Sequence, residues 1–366
     1  MRKYCNNSNS LTVLELYDGG AMFIGSYVLQ ILLQFVFSFV LITTDVGVDF
    51  TSSTLGICIL SVINEFSMFI TPFLYSKIKG EKLYVGVGLN KRLGIKRTGL
   101  ALGLAIATVM AFAPLANAFV TLVIKSGYDT STMTSLAINS WGTYVVGIIF
   151  LCALPAVCEE FLYRGMIARA LGDKGMIFGI LTSSLLFALM HGSPIQLVHQ
   201  FFLGCVCAII YYSSRNLRAC MIVHFTNNFI AITGNFILFK TGQIDFALNW
   251  WQALIVTVVG LAMLAVAIVA YYKLSNPRRA IDVKDIEGGL KEGFYTQAEN
   301  QAFESERQAI IEQAEQCSSD EEREILFEAK ADERKKLNKK GKMAMIYALI
   351  LAIGVWVINT VTNYLS

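Results

Sequence analysis

The chain has 366 residues, of which 55% are hydrophobic and 16% charged, a balance that excludes an ordinary soluble domain. Its formal net charge of +3 is too small for the basic footprint of a nucleic-acid-binding protein. Eight cysteines, at positions 5, 58, 152, 158, 205, 207, 220 and 317, form no CxxC pair and lie mostly in apolar runs. They read as small core side chains, neither a disulfide scaffold nor a zinc ribbon.

The first twenty residues carry Arg2 and Lys3, then Asn6, Asn7, Asn9, Glu15 and Asp18, which is not the basic lead of a cleavable signal. Beyond them the apolar runs recur at roughly the length a helix needs to cross a bilayer. They fall at residues 21–43, 54–75, 99–124, 144–157, 175–190, 195–212, 219–239, 250–272 and 343–364. The fourth and fifth are shorter than a full span, and each borders a polar cluster. The expected fold is all-α: a polytopic membrane bundle of about eight to nine transmembrane helices.

Loop charges set the expected orientation. The loop from Lys77 to Arg97 holds Lys77, Lys79, Lys82, Lys91, Arg92, Lys96 and Arg97 against Glu81 alone, whereas the loop before it holds Asp45 and Asp49 and no base. The basic loop is expected in the cytoplasm. Alternation then puts Arg164, Arg169 and Lys174, then Arg215 and Arg218, then Lys273, Arg278 and Arg279 on that side, with Lys125, Asp129 and Asp245 opposite. The N-terminus is inside and, if nine segments span, the C-terminus outside.

From Ser275 to Lys342 the chain turns charged, with Gly288 and Gly289 near its start and helix-forming Ala, Glu, Gln, Lys and Arg after Thr296. This is expected to be a cytoplasmic helical insertion before a final span. Phe303, Ile310, Ile311, Ile325, Leu326 and Phe327 recur with a loose helical period, so it reads as a solvated linker or as a hairpin lying on the membrane or a protein partner. Four regions follow: 1–97 with two spans and the basic loop, 98–274 as a catalytic membrane core, 275–342 as the insertion, and 343–366 as the last helix.

Three polar clusters interrupt the apolar core: Glu159, Glu160 and Arg164; Phe187 to His191; His224 to Asn228. Ionisable groups in membrane helices are kept mostly where they face one another or a wet cavity, so three clusters imply one site. Glu160 and Arg164 are four apart with the acid first, the favourable order for a pair, and Glu159 lies about 100° around the helix. A poorly solvated Glu159 is suited to taking a proton from water. His224 and Asn228 share a face and offer paired donors to a developing oxyanion. His191, before Gly192-Ser193-Pro194, ends a helix. Each cluster has a plainer reading: an interfacial acid pair, an interhelical hydrogen bond, a helix cap. His199, beside Gln196 and Gln200, reads as a packing or cavity-lining residue.

The order Glu-Glu-x-x-x-Arg, Phe-x-x-x-His, His-x-x-x-Asn on successive membrane segments resembles the CAAX prenyl protease 2 family, also called the CAAX protease and bacteriocin-processing (Abi, CPBP) family, over about residues 98–239. The resemblance implies an intramembrane endopeptidase. By position Glu159 would activate water with His191 as its partner, His224 and Asn228 would form the oxyanion hole, and Glu160 and Arg164 would support them. The eukaryotic branch removes a C-terminal tripeptide from prenylated proteins; bacterial relatives process peptides or confer bacteriocin self-immunity. The compact core without organelle signals resembles the latter, which implies a bacterial plasma membrane and a membrane-associated peptide or lipidated protein as substrate.

The resemblance implies no cofactor. The residues also admit zinc held by Glu159, His191 and His224, although no HExxH is present. A non-catalytic immunity or scaffold protein could use the same cluster as contact between helices. Depth is the obstacle to one shared site: a straight helix from Gly175 would carry His191 about 24 Å across, with His224 only a turn or two inside the starting face. The fifth and sixth runs are therefore expected to form a tilted or buried hairpin with the 192–194 turn inside the protein.

Overall fold

A bilayer gives backbone polar groups no partner but one another, and the computed structural model answers with helices: no strand occurs among the described residues. Those residues are 14–44, 46–80, 86–130, 136–243, 248–275, 308–317 and 319–365. The main helices are α1 (Leu16–Thr43), α2 (Thr54–Lys79), α3 (Ile95–Lys125), α4 (Trp141–Leu171), α5 (Met176–Met190), α6 (Pro194–Ser214), α7 (Leu217–Thr241), α8 (Trp250–Ser275) and α9 (Asp320–Leu365). Among the described residues, eight helices are long and apolar enough to cross a membrane, and α5 is a shorter apolar helix. This is the polytopic bundle that the apolar runs predict.

Two boundaries differ from the sequence expectation. The fourth run, expected to end at Val157, continues as α4 to Leu171 and carries the Glu159 to Arg164 cluster inside it. Arg164 and Arg169, counted above as loop charges, are buried in this helix. Hydropathy drops at Glu159, but the backbone has no reason to stop, because the charges find partners within the protein. The last run is not separate either: α9 runs unbroken from Asp320, so no structural break lies at 342. Between 320 and 342 stand helix-forming residues and a single glycine, Gly341, seated where a Cβ would come within 3.0 Å of Leu16 and Tyr17 on α1. The first part of the expected insertion, with Phe303, lies outside the described residues.

α4 is the central helix, in contact with α1, α2, α5, α6 and α7. Two of its stretches, Ile148–Ala153 and Phe161–Ala168, are wound as π-helix. Around it α5 and α6 form a close hairpin in which Gly204 lies against Ser184, and α9 lies along α1. Cys207 and Cys220 join α6 to α7 by reciprocal thiol-to-carbonyl contacts of 3.9 and 3.3 Å.

The connections sort into two ends. At one end Arg218 donates to the Leu89 carbonyl (2.8 Å), Asn216 to that of Lys91 (3.2 Å), and Lys174 to Asn338 on α9 (3.2 Å). At the other, Tyr364 on α9 meets Ser126 after α3 (2.7 Å). The basic loop and the α6–α7 turn thus share a side, as charge alternation requires.

α3 and α8 cross backbone to backbone at close range. A Cβ on Gly260 would stand 2.4 Å from the Ala111 backbone nitrogen. Gly260→Leu is therefore expected to destabilise the fold by about 1–3 kcal/mol through overpacking, read as a lower midpoint of thermal unfolding in detergent.

Candidate active site

The site is assembled around one carboxylate. Glu160 is fully buried, and its Oε1 accepts from both Arg164 Nη1 and His224 Nδ1, each at 3.0 Å. The i, i+4 pair expected from spacing thus forms, and the same oxygen reaches across to α7. Arg164 also donates through Nη2 to the Gly204 carbonyl of α6 at 3.0 Å. One buried pair ties α4, α6 and α7 together.

The bond to Glu160 orients the His224 ring. With Nδ1–H committed to Glu160, Nε2 points to Glu159, 3.7 Å from its Oε2. Glu159 is 7% exposed against 0% for Glu160. The two neighbouring acids are therefore not equivalent: Glu160 holds Arg164 and His224 at 3.0 Å each, and Glu159 faces the outer His224 nitrogen at 3.7 Å, while each keeps its Oε2 buried without a bond.

Phe187 settles the question of depth. Its buried ring lies edge-on to those of His191 and His224, with centroids 5.0 and 5.7 Å away, and the Arg164 guanidinium lies 4.6 Å above its face. His191 Nδ1 bonds to the Phe187 carbonyl at 2.8 Å, which leaves Nε2 as the ring nitrogen open to another partner. The turn that follows is folded inward as expected: Ser193 is buried, and Gly192, at φ +64°, leaves a Cβ only 2.7 Å from Asn359 on α9. His191 reaches the cluster through Phe187, with no direct bond to Glu159 among the described residues.

Asn228 is held differently. Its Nδ2 donates to the Leu151 carbonyl, 3.1 Å away in the first π stretch, and its Oδ1 accepts from Asn227. An amide nitrogen carries two hydrogens, so one remains for another acceptor. Asn227 Oδ1 in turn accepts from His199 Nε2 at 3.0 Å, which joins His199 to the edge of the network rather than to plain packing.

One participant is absent from the sequence reading. Glu65, buried in α2, stands close to Glu159 and keeps its Oε2 buried without a bond. The signal was present: Glu65 is the one acidic residue in the run 54–75, and an ionisable group there marks function by default. Among the described residues no group of three or more His, Cys, Asp and Glu side chains is placed to hold a metal ion.

Residues 141–230 match the family model described as Type II CAAX prenyl endopeptidase Rce1-like. The match takes in every residue of the three clusters, in agreement with the resemblance noted above, and leaves Glu65 outside it. The matched segment covers about a quarter of the chain; with the membrane-length helices it points to an integral membrane protein and supports intramembrane protease activity in general. No curated protein and no solved structure matches the chain.

Removing one partner of a buried ion pair leaves an uncompensated charge. Arg164→Ala is expected to cost about 3–5 kcal/mol of stability, seen as loss of folded protein on gel filtration or in thermal unfolding. A wild-type melting profile would show that the Glu160 pair does not hold the core together.

Proposed function

We propose that this protein hydrolyses a peptide bond of a membrane-associated peptide or lipidated protein with water activated by Glu159. The observation that carries the reading is the unequal treatment of two adjacent carboxylates: Glu160 is bound to Arg164 and His224 at 3.0 Å each, and Glu159 is left beside His224 Nε2 at 3.7 Å. Glu159 takes a proton from water as the water oxygen attacks the carbonyl carbon. His224 and the second Asn228 hydrogen stabilise the oxyanion. His191 Nε2 orients the water on the side away from Glu159. The intermediate then collapses, the C–N bond breaks, and the proton held by Glu159 passes to the departing nitrogen, giving a carboxylate and an amine.

The reaction needs no metal. A glutamate that already faces a histidine at near hydrogen-bonding range supports that choice. The charge asymmetry of the loops supports a site opening toward the cytoplasm, and the compact core supports a bacterial plasma membrane.

A test uses the full chain in liposomes with a quenched fluorescent farnesylated CAAX-type peptide beside its unprenylated form. Glu159→Ala and His224→Ala, both folded, are expected to lose about 10²–10⁴-fold in kcat, the usual contribution of a positioned acid or base. A folded Glu159→Ala protein that cleaves like wild type overturns the mechanism, and a non-catalytic scaffold role for the cluster then explains it better. The same preparation, tag-free, is expected to keep its activity through chelation. Stoichiometric zinc lost together with activity would replace the metal-free reading.

A further inference from the structure

α1 and α9 run side by side in the same direction. Gly341 lies against Leu16 and Gly20 against Ala344, so close that a Cβ would stand 3.0 and 2.7 Å from the partner helix. Backbone contact closes this seam, and beside it lies a groove of about 710 Å³. Two stripes wall it in. On α1 they are Tyr17, Ala21 and Ile24, and on α9 Met343 and Tyr347, spaced by three or four residues and so on one face of each helix. The α9 stripe begins with Lys336, Lys339 and Lys340, which stand at the head of the groove. From Lys336 to Tyr347 the helix rises about 16 Å, and over that length the lining passes from ammonium groups to hydrocarbon.

The head of the groove is at the end of the bundle that carries the basic loop. Lys79 pairs there with Asp18 of α1 at 3.1 Å, and Lys174 donates to Asn338 of α9. Among the described residues no ion pair uses Lys336, Lys339 or Lys340, and all three are exposed. Nearby acids are already engaged: Asp18 holds Lys79 and the Tyr75 hydroxyl, and Glu333 lies 3.4 Å from Lys330. Three like charges between positions 336 and 340 repel one another on the helix, and an anion among them relieves that repulsion. The apolar walls that follow call for hydrocarbon in the same ligand. A soluble anion would leave Ala21, Ile24 and Tyr347 uncovered, and a zwitterionic lipid would bring its own ammonium to the lysines.

We propose that this groove binds one anionic phospholipid, with its phosphate on Lys336, Lys339 and Lys340 and an acyl chain along Tyr17, Ala21, Ile24 and Tyr347. Basic pockets between membrane helices take anionic headgroups in this way. The site lies outside the segment matched to the protease family and shares no residue with the Glu159 cluster, so it stands or falls apart from the proposed chemistry.

Native mass spectrometry of the full chain in neutral detergent tests this, with phosphatidylglycerol titrated beside phosphatidylcholine of the same acyl chains. Phosphatidylglycerol is expected to bind at least about tenfold more tightly. Replacing Lys336, Lys339 and Lys340 together by Gln is expected to weaken it about 10²-fold, a factor of about five for each charge, and to leave phosphatidylcholine unchanged. Replacing Lys330, Lys335 and Lys342, on other faces of α9, is expected to alter neither. Equal binding of the two lipids, a 336/339/340 variant that binds like wild type, or an equal loss in the other variant overturns the proposal. Glycerol 3-phosphate carries the phosphate without chains; if it displaces the lipid at matched concentration, the lysines take free phosphate and the lipid site is wrong. Should the triple variant not fold, Lys339→Gln and Lys340→Gln singly are each expected to weaken phosphatidylglycerol about fivefold, and no loss in either overturns the proposal.

Discussion

The fold around the site depends on the buried Glu160 carboxylate. One oxygen with no solvent contact accepts from a guanidinium on its own helix and from an imidazole on another, and the same guanidinium continues to a carbonyl on a third. A charge taken out of water in this way costs several kcal/mol unless its partners are fixed. The partners are fixed here because α4 and α7 each supply one and α6 holds the Arg164 guanidinium through the Gly204 carbonyl, so the association of three helices and the pairing of the site are the same event. Phe187 closes the arrangement from α5, its face under Arg164 and its ring beside both histidines.

That constraint also divides the labour. His224 is orientated by Glu160, and its outer nitrogen is thereby aimed at Glu159. Asn228 is orientated by the Leu151 carbonyl of α4, in the first π stretch. Four residues on stands Pro155, which has no N–H to give that carbonyl in α geometry, and Asn228 supplies the donor from α7.

Much of this was legible in the chain. Apolar length predicts the spans, and the i, i+4 spacing of Glu160 with Arg164 predicts their pair, because both depend on local periodicity. The inward fold of the 192–194 turn followed from the depth mismatch of His191 and His224. What was not legible came from tertiary context. The extension of α4 through Glu159 to Leu171 and of α9 back to Asp320 required partners that hydropathy does not see, for Arg164 in one case and for Gly341 in the other. Glu65 stands 94 positions before Glu159, and only the register of Ser61 and Phe69 against α4 brings it there. Its rarity in an apolar run was a signal; its place beside Glu159 was not.

The most direct measurement of the central claim is nitrogen NMR of histidine-labelled protein, in which only three side chains contribute. His224 is expected to show a protonated, hydrogen-bonded Nδ1 whose signal moves in Glu160→Gln and is absent in His224→Ala. An unprotonated His224 Nδ1, or a signal indifferent to Glu160, would contradict the account.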